Sequence, residues 1–164
     1  MTEPVHQIMS KKLVSLQLTD SVRKAYQVMH ERNIRHLPVV DRTGNIIGIL
    51  SDRDLKMAMT ITQEALLGDE SMIEFDPDLK VESFMSWPVK SISLDASIYE
   101  ATQVMLKNKI SAILVVDDHQ RIKGIVTTDD LLKLLLKLLE KNPSSYSQNL
   151  ESFVDDLTQS FYLS

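Results

Sequence analysis

The strongest constraint on this chain is that much of it is written twice. A fixed offset of 76 positions aligns residues 5–59 with 81–135 without a gap. Under it Met9-Ser10 meets Met85-Ser86, Gln27-Val28-Met29 meets Gln103-Val104-Met105, and Val39-Val40-Asp41 meets Val115-Val116-Asp117. Ser15, Leu18, Ser21, Ala25 and Ile34 recur as Ser91, Leu94, Ser97, Ala101 and Ile110. So regular a register is an internal duplication. The fold is therefore expected to hold two similar units rather than one irregular domain.

One copy reads as follows. Val5 to Met9 is a short helical turn, and Leu13–Leu16 a brief strand. Asp20 or Ser21 caps a helix whose apolar face is Val22, Ala25, Tyr26, Val28 and Met29, closed at Asn33. His36–Val40 and Ile46–Leu50 flank a Gly44 turn and form a hairpin. Ser51 caps a second helix running to about Leu67, where Gly68 stops it. The second copy repeats this order: a brief strand near Val89–Ile92, a helix capped by Asp95 or Ser97, a hairpin across Ala112–Val126, and a helix from Thr127 or Thr128. In that helix Leu131–Leu139 is nearly all apolar, which calls for burial on more than one side or for an interface.

Each copy carries a glycine, a short apolar run, a hydroxyl residue and an aspartate three positions on. These are Gly48…Ser51-x-x-Asp54 and Gly124…Thr127-x-x-Asp130. Two readings are open. Ser-x-x-Asp is a helix cap that satisfies its own N–H groups. It also gathers backbone donors where an anion can sit, with a carboxylate able to accept from ribose hydroxyls.

Composition narrows the function classes. With no cysteine, disulfides, thiolate metal sites and cysteine nucleophiles are absent. No apolar run approaches membrane-spanning length, and Met1-Thr2-Glu3-Pro4 does not read as a signal peptide, so a cytoplasmic protein is expected. The net charge of −5 argues against a general nucleic-acid surface. Its distribution is uneven: residues 5–59 carry +4, 81–135 carry −1, and the acidic stretch 60–80 carries −5. Asp69, Glu70, Glu74, Asp76 and Asp78 lack the spacing of a calcium loop and read as a solvated linker. His6, His30 and His119 have no metal-pair spacing, and no metal site is expected.

The duplicated strand–helix–strand–strand–helix unit, with His36-Leu37-Pro38-Val39-Val40-Asp41 ahead of Gly48-x-x-Ser51-x-x-Asp54, resembles a tandem CBS-domain pair, or Bateman module. The resemblance covers residues 1 to about 140. It implies an α/β (α+β) fold of two pseudo-symmetric β-α-β-β-α repeats packed sheet to sheet. Expected boundaries are repeat 1 at 1–67, an acidic linker at 68–80, repeat 2 at 81–141 and an amphipathic tail helix at 142–164.

The family's two clefts commonly take adenosine nucleotides. Carried over by position, Asp54 and Asp130 hold ribose hydroxyls, with Ser51 and Thr127 near phosphates. Leu13-Val14 and Val89-Lys90 wall the base, with Ile34 and Ile110. Arg35-His36 in the first copy and Ser111-Ala112 in the second face the phosphates. The copies differ in chemistry. Arg35 and Arg53 offer guanidinium groups to phosphate, whereas Asp129 stands where Arg53 does and would repel it. Site one therefore suits a di- or triphosphate, and site two a nucleoside, a monophosphate or nothing.

The expected function is a non-catalytic sensor of AMP, ADP or ATP that relays occupancy to a separate regulated protein. Magnesium would enter only with ATP. S-adenosylmethionine is the alternative ligand, and a dimeric scaffold with degenerate sites the alternative class. No P-loop, zinc motif or nucleophile–base pair marks an enzyme. A homodimer through the CBS helices is the expected assembly. The tail, with Leu150, Phe153, Val154, Leu157 and Phe161 at helical spacing, either packs back on its own chain or clasps a second subunit.

Overall fold

The computed structural model describes residues 3–58, 60–61, 73–74 and 79–141 of the 164. The chain divides into two compact units, Met1–Thr127 and Thr128–Ser164.

In the first unit, β1 (Leu16–Gln17) runs parallel to β2 (His36–Val40), which pairs antiparallel with β3 (Ile46–Ser51). Between them, α1 (Val22–Arg32) is capped by the Ser21 side chain and closed by Asn33 in the left-handed conformation. The second copy gives β6 (Ser91–Ser93), α3 (Ile98–Asn108), β7 (Ala112–Val116) and β8 (Ile122–Thr127) in the same topology. The duplication extends to irregularities. Both hairpins shift register at matching places, Val39/Val40 and Val115/Val116. Left-handed Asn33 recurs as Lys109, and Gly44 as Gln120.

The hairpin turns are held by carboxylates. Asp41 accepts from the Thr43 hydroxyl at 2.6 Å and from the Thr43 and Asn45 N–H groups at 2.8 and 2.9 Å. The Thr43 hydroxyl, then the Asn45 N–H, outweigh slight desolvation and bring the Asp41 pKa down to about 2. In the second copy the Arg121 N–H, with the Arg121 and Lys123 side chains, holds Asp117 well below the usual carboxylate range.

The lead-in of each copy docks on the other copy. Val5 donates to Ala96 at 2.7 Å, Ile98 donates to Glu3 at 2.9 Å, and Ser10 exchanges bonds with Ile125 at 2.9 and 3.1 Å. Seventy-six positions on, Val81 donates to Asp20, Val22 donates to Leu79, and Ser86 exchanges bonds with Ile49. Val5 and Val81 are fully buried, worth about 2 kcal/mol each. One core gathers Leu16, Val22, Ala25, Leu37, Val39, Leu50 and Leu55 with Val81. Between the sheets, Ala112, Leu114 and Ile125 pack with Leu13, Ile46, Ile49, Val89 and Ile122.

Three expectations are corrected. α2 spans Asp52–Ala58 rather than reaching Leu67. Thr60–Ile61 instead forms β4, antiparallel to β5 (Ile73–Glu74), in keeping with the β-branched run Thr60-Ile61-Thr62. The acidic stretch therefore contains a paired strand, and its Leu79 supports α1; Leu67, Gly68, Asp69, Glu70, Asp76 and Asp78 lie outside the described residues. β1 starts at Leu16 rather than Leu13, because the Leu13 N–H turns back to the Lys11 carbonyl at 3.0 Å.

In the second unit, α4 spans Thr128–Lys141 and leaves Leu132, Leu135, Leu136, Leu138 and Leu139 exposed. Burial on several sides is thus not what its composition serves. The expected tail helix lies outside the described residues. Among the described residues no helix is long and apolar enough to cross a membrane.

Candidate functional site

The hairpin brings the first-copy residues together. His36 lies opposite Ser51 at the ends of β2 and β3, and the Asp52 N–H donates to the Arg35 carbonyl at 3.0 Å. Ile34, Arg35 and His36 therefore adjoin the turn that starts α2. Within that turn, the Ser51 N–H and hydroxyl both donate to Asp54 Oδ2 at 2.7 Å, and the Asp54 N–H returns a bond to Ser51 Oγ at 3.3 Å. The capping arrangement is thus formed. It holds a carboxylate and a hydroxyl in one half-buried place, while Arg35 and Arg53 are exposed beside it.

The second copy is not a separate neighbourhood. His36 Nε2 lies 2.9 Å from Ser111 Oγ, with the donor set by the imidazole tautomer. The pairs Arg35-His36 and Ser111-Ala112, assigned by sequence to different clefts, meet between the repeats. The Ile49–Ser86 bridge also lays the second lead-in along β3, two residues before Ser51. Leu13 packs with the Ala112–Leu114–Ile125 cluster, while Val14 joins the first core. Ala112 pairs with Thr127, the Lys90 carbonyl accepts from Leu114 at 3.3 Å, and the Ile110 N–H donates to Met105. Asp129 and Asp130 lie in the first turn of α4, in the second unit.

A cavity of about 380 Å³ opens at the other end of β3, a size that small-molecule sites share. Ile46 and Ile47 form one wall, Trp87, Pro88 and Val89 another, with Asn45, Ser91 and Gln120 supplying polar edges. Trp87 is 75% exposed there. Of these, only Val89 was marked by sequence. The signal for Trp87-Pro88 was present, because the offset sets this apolar pair against Lys11-Lys12. Among the described residues no group of three or more His, Cys, Asp or Glu is placed to hold a metal.

With this geometry in place, likeness to known proteins is decisive. Residues 5–61 and 81–137 each match the CBS domain. The chain belongs to the CBS domain family. It is 36% identical over 141 residues to a CBS domain-containing protein of Dictyostelium discoideum, covering 85% of this chain and 95% of that one. The CBS domain pair of MJ0100, solved with 5′-methylthioadenosine and S-adenosyl-L-methionine, is 28% identical, with a TM-score of 0.67 over 82% of this chain and 97% of that one. The cytosolic domain of the Mg2+ channel MgtE, solved with ATP, is 25% identical, with a TM-score of 0.62 over 80% of this chain and 48% of that one. Of several other relatives, enzymes among them, this chain spans only 23% to 32% of the length. The matched stretch is one part of those longer chains.

Proposed function

We propose that this CBS pair is a non-catalytic regulatory module. It binds an adenosine nucleotide at the Ser51–Asp54 turn and relays occupancy to a separate protein. The observation that carries the reading is convergence. Ser51, Asp54, Arg35 and His36 adjoin one another, and His36 bonds to Ser111 of the other repeat. A ligand there touches groups whose placement depends on how the repeats pack, which is what a relay needs. That related CBS pairs were solved with S-adenosyl-L-methionine and with ATP supports an adenosine ligand. Arg35 and Arg53 favour a di- or triphosphate over S-adenosylmethionine, whose sulfonium they would repel.

The second set (Thr127, Asp130, Val89, Lys90, Ile110, Ser111 and Ala112) rests on the sequence repeat, with Asp129 disfavouring phosphate. The boundaries at 67, 80 and 141, a cytoplasmic location and magnesium arriving only with ATP belong to the same proposal.

The test is calorimetric titration of the nucleotide-stripped protein with AMP, ADP, ATP and S-adenosylmethionine, repeated on Asp54→Ala. Micromolar binding lost in a folded Asp54→Ala chain supports the reading. Unchanged affinity in that variant refutes the site. No heat with any ligand favours the second reading, a scaffold homodimer with unused sites, for which the exposed leucines of α4 are the specific observation.

A further inference from the structure

The two copies provide an internal control for the cavity at the start of β3. The bonds between Ser86 and Ile49, at 2.8 and 3.1 Å, hold the second lead-in antiparallel to β3. Continued along both segments, that register sets Trp87, Pro88 and Val89 beside Gly48, Ile47 and Ile46. Ser10 and Ile125 exchange the same bonds in the other half, which sets Lys11, Lys12 and Leu13 beside Gly124, Lys123 and Ile122. The backbone frame is repeated, but the side chains are not. Lys11, Lys12, Arg121 and Lys123 have Trp87, Pro88, Asn45 and Ile47 as their offset equivalents. Four cations in one place answer to four neutral residues in the other.

The neutral place is concave, with a volume of about 380 Å³. Ile46 and Val89 belong to the apolar cluster between the sheets, which gives the cavity a firm floor. Trp87 lines it with three quarters of its own surface exposed. Leaving so large an apolar side chain in water forgoes about 2 kcal/mol of burial, whereas a lysine in the equivalent place is at home there. No charged residue lines the cavity. Its polar groups are the Asn45 and Gln120 amides and the Ser91 hydroxyl. The Asn45 amide nitrogen is held by Asp41 and Thr43 at 3.1 and 2.7 Å, which leaves its carbonyl oxygen to accept. Among the described residues, no hydrogen bond engages the Ser91 hydroxyl or the Gln120 amide.

We propose that this cavity binds a flat, uncharged heteroaromatic molecule, stacked on Trp87 and hydrogen-bonded at its edge by Asn45, Ser91 and Gln120. An indole beside apolar walls suits a π system, and neutral amides and a hydroxyl suit ring nitrogens and carbonyls. A phosphate or carboxylate would lie there unpaired, since no cation lines the cavity. That chemistry sets the site apart from the Ser51–Asp54 turn at the opposite end of β3, where Arg35 and Arg53 stand. Val89 is the one residue it shares with a cleft expected from sequence. The proposal does not rest on nucleotide binding. With the first hairpin on one side and the second lead-in on the other, the occupant also bridges the two copies.

Trp87 is the chain's single tryptophan, so its emission reports occupancy in the full-length protein. Caffeine is the probe, being flat and uncharged and having neither ribose nor phosphate. It should quench the emission saturably, with a Kd below about 1 mM, and benzoate, flat but anionic, should bind about tenfold more weakly or worse. Ligand-observed NMR then compares variants. Trp87→Lys/Pro88→Lys copies Lys11-Lys12, which the same backbone frame accommodates, and should weaken caffeine by about tenfold or more, while Asp54→Ala should leave it within about twofold. Quenching that never saturates, equal affinity for benzoate, or full affinity in the lysine variant overturns the proposal. So does loss of caffeine binding in a folded Asp54→Ala chain, which would return the molecule to the nucleotide turn. A failed nucleotide titration leaves the proposal standing.

Discussion

The exchanged lead-ins make a quantitative prediction at Gly124. A Cβ added there would lie 2.8 Å from Met9 Cγ and 3.1 Å from the Ser10 carbonyl oxygen, and would also strike Met9 Sδ. The methionine can swing aside at some cost in packing. The Ser10 carbonyl cannot, because it accepts from the Ile125 N–H at 3.1 Å and so holds the first lead-in to β8. Overpacking of this kind costs about 1–3 kcal/mol. For a chain of this size that lowers Tm by about 2–4 °C per kcal/mol. Gly48→Ala should cost less, since the atoms its Cβ would meet all belong to the flexible Met85 side chain. The assay is urea unfolding followed by circular dichroism, in a cycle of Gly124→Ala, Met9→Ala and the double variant. Half-buried Met9 should cost about 1 kcal/mol alone, less than a fully buried methionine. The double variant should be more stable than the sum by about 1 kcal/mol, because truncating Met9 removes the nearer obstacle, while the clash with the Ser10 carbonyl persists. A Gly124→Ala chain within about 0.3 kcal/mol of wild type, or strict additivity in the cycle, would refute the packing argument.

Three further outcomes are expected. Ser97→Ala should cost more stability than Ser21→Ala, about 1–2 against 0.5–1 kcal/mol. Ser97 is nearly buried and shares a reciprocal cap with Glu100, whereas the Ser21 side chain only accepts from Lys24; equal losses in urea unfolding would count against this. Asp41, its pKa lowered to about 2 by the turn, contributes stability that is full above the unfolded value near 3.9 and lost as pH falls through 2. The stability gap between wild type and Asp41→Asn should therefore shrink from pH 6 to pH 2, and a gap that widens on acidification would reverse the sign. Replacing Arg35 and Arg53 by alanine should weaken ATP at least tenfold, about 1.4 kcal/mol, while adenosine changes less than twofold; equal losses would remove both from phosphate binding.

How much of this was legible in sequence depends on what each feature requires. The 76-residue repeat carried the topology of both hairpins and the Asn33 stop, and it narrowed the caps to Asp20 or Ser21 and Asp95 or Ser97, of which the fold uses Ser21 and Ser97, because periodicity and capping are local. The length of α2 was misread: spacing alone extended it past Ala58, although Thr60-Ile61-Thr62 favours strand. The exchanged lead-ins could not be read at all. Val5 and Val81 stand in equivalent places in their copies, so nothing local says on which copy either one docks. For the same reason Ser111 was grouped away from His36. Trp87 lies outside the repeated motif, at the one offset position where an aromatic stands in place of a lysine, so the repeat pattern itself does not mark it.

The bond between His36 and Ser111 is where binding and repeat packing can be separated. At 2.9 Å between half-buried groups it is worth about 0.5–1.5 kcal/mol. If it only staples the repeats together, Ser111→Ala should lower stability by that amount and leave nucleotide affinity unchanged. The proposed relay requires more: a ligand shifts the packing only by the difference in its affinity for two arrangements. Removing the Ser111 hydroxyl takes away one bond that competes with a ligand for His36, so affinity for a triphosphate should rise as stability falls. Linkage makes the two changes one quantity, because whatever the ligand gains from His36 the packing must lose. Titrating ATP into wild type, Ser111→Ala and His36→Ala, with unfolding measured on the same samples, reads both sides. A fall in stability with affinity fixed in both variants would leave His36 a structural staple and the relay without its connection.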